Sequence, residues 1–270
     1  MTKMLKKEFV DYIRSGNIKT VQKIIDNGKN VNDEMINGET ALMIASQGRN
    51  LGIVRLLVER GANVNAARTD NGMTSLMYAI VVGHLEIAKF LVNAGANVNA
   101  ARTDGGFTTL MYASVTGRQE IARLLVERDA NVNAACTDDG VTALMLASRE
   151  GHLEIAKFLV ERGANVNAAK TTNGKTALLL AKTPEIKNYL QNLNVSVTVN
   201  PLAAAGAAGG GGNNRVKNPL AAAGGGGGGA AGGGGNNWVE NPFHRGPKQP
   251  KSRKGRKARK ARKNRKTRRN

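Results

Sequence analysis

The chain has 270 residues and a formal net charge of +20, from 40 Lys and Arg against 20 Asp and Glu. Its single cysteine, Cys136, excludes an internal disulfide and a cysteine-built zinc site, and no apolar run approaches the roughly 18 residues that a membrane span needs. The charge is uneven: residues 1–193 carry 23 basic and 19 acidic side chains, whereas residues 194–270 carry 17 basic side chains and one acid, Glu240.

This imbalance predicts three segments: a globular domain over 1–193, a Gly/Ala-rich flexible linker over 194–247 and an Arg/Lys-rich tail over 248–270. The opening residues, through Lys6, Lys7 and Glu8, contain no apolar signal core, so a reducing, intracellular compartment is expected. Residues 3–27 fit a helix pair, with Phe9, Val10 and Ile13, a break at Gly16, then Val21, Ile24 and Ile25. Its lysine-rich remainder suits a solvated cap.

A repeat follows. Thr40, Thr74, Thr108, Thr142 and Thr176 stand 34 residues apart, each two before a leucine: Leu42, Leu76, Leu110, Leu144 and Leu178. An Asn-Val-Asn triplet recurs around Val31, Val64, Val98, Val132 and Val166, and one decamer is identical at 83–92 and 151–160. In the second repeat Thr74 is a natural N-cap. Leu76, Met77, Ala79 and Ile80 give a first helix its apolar side, and Gly83 ends it. Leu85, Ile87, Ala88, Leu91 and Val92 give a second helix its buried face before Gly95. Ala79, Ala113 and Ala147 fall in one column where neighbouring helices approach closely. At the far end Thr183-Pro184-Glu185 is an N-cap, an N1 proline and an acidic first turn, opening a short last helix through Tyr189 and Leu190. No single repeat can bury its apolar face alone, so stability must come from stacking.

These motifs, over roughly residues 5–193, resemble the ankyrin repeat. The resemblance implies an all-α repeat solenoid of helix pairs joined by β-turn or hairpin loops, here four full repeats between two caps. It also implies a protein partner, held by the hairpin tips and the outer side of the first helices. The family's usual Thr-Pro-Leu-His has lost its proline and histidine: Met43, Met77, Met111, Met145 and Leu179 occupy the last column. The hydrogen-bonding role of that histidine is therefore expected to be absent, with softer packing in its place. Four hairpins carry one extra residue. Arg49 and Asp129 replace corner glycines, so those two corners are expected to be looser.

Met73 and Phe107 precede capping threonines, and Tyr78, Val81, Val82, Tyr112 and Val115 lie along the first helices of repeats two and three, where solvated residues are expected. With Arg68 and Arg102 at the hairpin tips they form the candidate protein-binding surface; Tyr78 and Tyr112 equally suit padding between repeats. Cys136 shares the Arg68/Arg102 column and reads as an ordinary exposed thiol. No catalytic constellation emerges: His84 and His152 read as turn residues, and Gly174-Lys175-Thr176 lacks the earlier glycine of a phosphate loop, Ala169 standing there. No enzyme activity, metal or cofactor is expected.

The linker holds three related triplets, Asn200-Pro201-Leu202, Asn218-Pro219-Leu220 and Asn241-Pro242-Phe243, readable as docking motifs or slippage duplications. The last resembles the peptide bound by EH domains. Glycine blocks between them cannot bury enough area to offset ordering entropy, so disorder is expected. In the tail, Arg253, Lys254, Arg256, Lys257, Arg259, Lys260, Arg262, Lys263, Arg265 and Lys266 recur as pairs every third residue, followed by Arg268 and Arg269. Without an aromatic to stack on bases, they are expected to bind nucleic acid through phosphates, without sequence readout. The alternative is a nuclear or nucleolar import signal. No amphipathic helix or lipidation signal suggests a membrane, and a monomer is expected. The combination of repeats, glycine-rich spacer and basic tail resembles proteins of large DNA viruses in composition, which would place it in a host cell or virion.

Overall fold

The computed structural model describes residues 3–35 and 38–198, and the linker and tail assignments lie outside them. Six helix pairs follow one another. They are α1 (Lys3–Arg14) with α2 (Ile18–Asp26), α3 (Ala41–Gln47) with α4 (Leu51–Glu59), and α5 (Ser75–Val82) with α6 (Leu85–Asn93). The others are α7 (Thr109–Val115) with α8 (Gln119–Glu127), α9 (Ala143–Glu150) with α10 (Leu153–Glu161), and α11 (Ala177–Leu180) with α12 (Pro184–Thr198). First helices stack on first helices and second on second, giving the all-α repeat solenoid.

Each repeat opens with a hairpin closed by one antiparallel bridge: Glu34 to Thr40, Ala67 to Thr74, Ala101 to Thr108, Ala135 to Thr142 and Ala169 to Thr176. The first bridge spans one residue fewer, as the spacing indicates. The backbone amides of Met43, Met77, Met111 and Met145 donate to the hydroxyls of Thr40, Thr74, Thr108 and Thr142. Thr176 makes no such bond, and α11 is a single turn. The methionine column also partly restores what the missing histidine leaves open. The Met43 and Met111 sulfurs accept from the Thr40 and Thr108 amides at 3.5 and 3.4 Å.

The core runs the length of the stack. Ala45, Ala79, Ala113 and Ala147 are fully enclosed between adjacent first helices. The two corners that lack the usual glycine are built differently. Asp129 takes the left-handed conformation (φ 65°) that glycine fills elsewhere, a conformation Asp tolerates better than most residues. At the other corner α3 ends one residue early, with Gly48 extended at φ −86°. The terminal helix is not short: α12 runs to Thr198, burying Ile186 and Leu190 against α10 and α11.

Adjacent repeats are joined by an asparagine ladder. The side-chain amide of Asn32 donates to the Gly61 carbonyl while its oxygen accepts from the Asn63 amide. Asn65, Asn99 and Asn133 repeat both bonds to Gly95 and Asn97, to Asp129 and Asn131, and to Gly163 and Asn165. The first asparagine of each triplet turns its own loop, as where the Asn97 oxygen accepts from the Asn99 amide (2.9 Å).

A second joint explains the turn residues. The Nη2 of Arg118 donates to the Val82 carbonyl (3.2 Å), closing the end of the preceding first helix. His84 and His152 reach the Gln47 and Val115 carbonyls from the same column. A carbonyl only accepts, so Nε2 of each carries the proton. Burial lowers the His84 pKa, against the raising effect of that bond. Gly83, at φ 86°, also leaves the space this joint needs: a Cβ there would lie 2.4 Å from the Arg118 guanidinium carbon.

Candidate protein-binding surface

The hairpin tips form a row. Single backbone bonds tie Thr103 N to Asn71 O (3.2 Å), Thr137 N to Gly105 O (3.0 Å) and Thr171 N to Asp139 O (3.0 Å). The row holds the column Arg68, Arg102, Cys136 and Lys170 at a fixed spacing, one residue per repeat.

Repeats two and three carry the same arrangement. Arg68 donates to both oxygens of Asp70 (3.0 and 2.7 Å) and to the Tyr78 hydroxyl (3.0 Å), with Glu39 at 3.6 Å. Arg102 pairs with Asp104 and donates to the Tyr112 hydroxyl (3.1 Å). Forked pairing fixes both guanidinium planes. Hydrogen bonding from Arg68 lowers the Asp70 pKa. Burial pushes the Tyr78 phenol up to about 12, against the lowering effect of Arg68, and raises Tyr112 likewise.

The surface is less apolar than the spacing suggested. Met73 and Tyr112 are only 8% and 5% exposed, so they do not present open faces. The Tyr112 hydroxyl donates to the Met73 sulfur of the preceding repeat (3.3 Å), which places both in the seam. Tyr78, Val81, Phe107 and Val115 are half-buried against the core, and Val82 is 43% exposed. The Phe107 ring meets Tyr112 edge-on, with centroids 4.7 Å apart.

Cys136 is not the exposed thiol its column suggested. It is half-buried, its sulfur lies 3.6 Å from Met111 Sδ, and burial pushes its pKa up to about 11. Lys170 pairs with Asp139 (2.8 Å). On the second helices, Arg55 lies over the Phe90 ring, and Arg123 and Arg162 over Phe158, all at 4.7–4.8 Å. Arg162 stacks within its own repeat, whereas the other two stacks join neighbouring repeats; sequence reasoning missed them, although the phenylalanine that recurs in the decamer, at Phe90 and Phe158, was their signal. Among the described residues no group of His, Cys, Asp or Glu could hold a metal, and no helix is long and apolar enough to cross a membrane.

The stacked helix pairs, capped hairpins and side-chain surface are those of an ankyrin stack. A model of ankyrin repeats (3 copies) matches residues 10–102, 101–170 and 133–201. The chain belongs to the ankyrin-repeat family, a class of protein–protein interaction modules that are generally non-catalytic. It is similar to an ankyrin repeat protein of fowlpox virus (strain NVSL), 33% identical over 67 residues. That match covers 24% of this chain and 16% of the viral protein.

Proposed function

We propose that the chain is a non-catalytic adaptor: the stack holds a protein partner on repeats two and three, and the basic tail holds nucleic acid. The observation that carries the first half is the duplicated Arg–Asp–Tyr arrangement at Arg68 and Arg102, with the partly buried Phe107 ring against Tyr112. Repeat four has Cys136 and Leu146 in the corresponding columns. A fixed guanidinium beside an aromatic edge is typical of an interface hot spot. Phe107→Ala should leave the stack folded and weaken partner binding by about 1–3 kcal/mol. Loss of thermal stability without a separate binding defect would make Phe107 a packing residue instead.

The second half rests on residues 248–269, which hold 14 Lys or Arg and no acid. Binding of the full chain to duplex DNA or RNA of arbitrary sequence is the test. With about 6 to 10 phosphates engaged, affinity should fall roughly 10³- to 10⁵-fold between 50 and 200 mM salt. Scrambling the Arg and Lys order should matter little, because no base edge is read. Absence of salt-sensitive binding would leave the import signal as the role of the tail.

A further inference from the structure

The second helices carry an alternation that the hairpin surface does not use. Arg55, Lys89, Arg123 and Lys157 stand in one column, 34 residues apart. The lysines turn back on their own helices, Lys89 to Glu86 (3.0 Å) and Lys157 to Glu154 (3.1 Å). The arginines reach into the next repeat instead, Arg55 over Phe90 (4.8 Å) and Arg123 over Phe158 (4.7 Å). Glu120 holds the position of Glu86 and Glu154, yet Arg123 forgoes it for the ring.

The two stacks differ in one residue. Arg162 also lies over Phe158, at 4.7 Å, whereas Ala94 occupies its column beside Phe90. Phe158 is 2% exposed, and Phe90 is half-buried. The guanidinium carbons of Arg123 and Arg162 are thus no further apart than twice 4.7 Å. Both arginines are exposed, and among the described residues neither makes an ion pair or a hydrogen bond. Glu127 and Glu161 end the same two helices without pairing to either. Stacking on a ring orients a guanidinium while leaving its N–H groups to other acceptors, and such planar forks match phosphate oxygens. Charge also divides the stack. The hairpin segments 33–39, 68–73, 102–107, 136–141 and 170–175 hold seven acids and four bases, whereas the rest of residues 1–193 holds 12 acids and 19 bases. A polyanion is therefore repelled by the hairpin row and drawn to the rest of the stack.

We propose that Arg123 and Arg162 are a phosphate-binding pair, through which the second-helix face of the stack contacts the backbone of a nucleic acid. This rests on the nucleic-acid reading of the chain and adds the stack itself to the binding surface. A phosphate contact positions the protein and carries no sequence information. Each contact adds about 0.9 to the slope of log affinity against log salt on duplex DNA, so the pair adds about 1.8.

Titration of duplex DNA of arbitrary sequence with the full chain, between 50 and 200 mM salt, tests it. Arg123→Gln with Arg162→Gln should flatten the slope by about 1.8, so that the loss of affinity across this range is about tenfold smaller than in the native chain. Lys89→Gln with Lys157→Gln removes the same charge from the ion-paired positions and should change the slope less than half as much. Ala94→Arg builds the same pair around Phe90 with Arg55, and should steepen the slope by about 0.9 or more. Circular dichroism checks that each variant is folded. An unchanged slope after Arg123→Gln with Arg162→Gln, an equal change in the lysine control, or no steepening with Ala94→Arg would overturn the pair and leave the tail reading intact. Absence of salt-sensitive binding by the native chain would overturn both. Loss of binding to a phosphoserine peptide, with DNA binding unchanged, would assign the pair to a phosphorylated protein and overturn the proposal.

Discussion

Removing one rung of the asparagine ladder measures how tightly the repeats are joined. Asn99 makes two inter-repeat bonds, from Nδ2 to the Asp129 carbonyl (3.0 Å) and from the Asn131 amide to Oδ1 (2.7 Å). Asn99→Ala deletes both, and a net hydrogen bond is worth about 0.5–1.5 kcal/mol. Asp129 and Asn131 are exposed, so water replaces the lost partner and no buried-group penalty is added. The expected loss is therefore about 1–2 kcal/mol. Asn99→Asp keeps the acceptor for Asn131 but sets a carboxylate against the Asp129 carbonyl, so it should cost no less than about 1 kcal/mol. Asn167→Ala is the control: it occupies the same column of the last full repeat, and the loop it would have to reach, the one after α12, has no counterpart among the described residues. Urea unfolding of the full chain reads all three, with an unchanged slope required for a change of stability alone. If Asn99→Ala and Asn167→Ala cost the same, the ladder does not couple repeats and the reasoning fails.

Gly83→Ala combines a left-handed backbone with the close approach of Arg118. It should lower stability by more than Gly95→Ala, which shares the conformation (φ 88°) but meets nothing within 4 Å; the latter should cost about 1 kcal/mol, measured by the same unfolding. Ser75 has a buried hydroxyl without a hydrogen-bond partner, in a column otherwise held by Ala41, Thr109, Ala143 and Ala177. Ser75→Ala should therefore raise stability by roughly 1 kcal/mol, and a loss of stability would show that the hydroxyl is satisfied. The His84 pKa is lowered by burial from its ordinary 6.5. Below that value the unfolded chain binds the proton more readily, so the contribution of His84 is complete above pH 6.5 and lost as pH falls through the folded-state pKa. Melting temperatures of the native chain and of His84→Asn should thus converge between pH 7 and pH 5, and parallel pH profiles would refute it.

Much of the fold was legible because it is local and repeated. Thr-x-Leu specifies cap and apolar stripe, a glycine at Gly83, Gly117 and Gly151 the stop, and five copies of Thr-x-Leu in register leave only stacking as a way to bury them. What each column touches is set by the neighbouring repeat, 30 or more residues away. Met73, before a helix cap, and Tyr112, on the outer side of α7, read as surface residues; both are buried in the seam, where the Tyr112 hydroxyl meets the Met73 sulfur. The Asn-Val-Asn triplet was visible as a pattern, but its bonds to Gly95, Asp129 and Gly163 exist only once the next loop is in place. Cys136 shares a column with arginines, yet Met111 of the preceding repeat buries it. Charge by itself separated the stack from the basic tail, since opposite signs balance in one and not in the other. Only the tertiary structure decided that the column closed at Met43, Met77, Met111 and Met145 stays open at Leu179, because cover in a stack is supplied by the following unit and not by the residue itself.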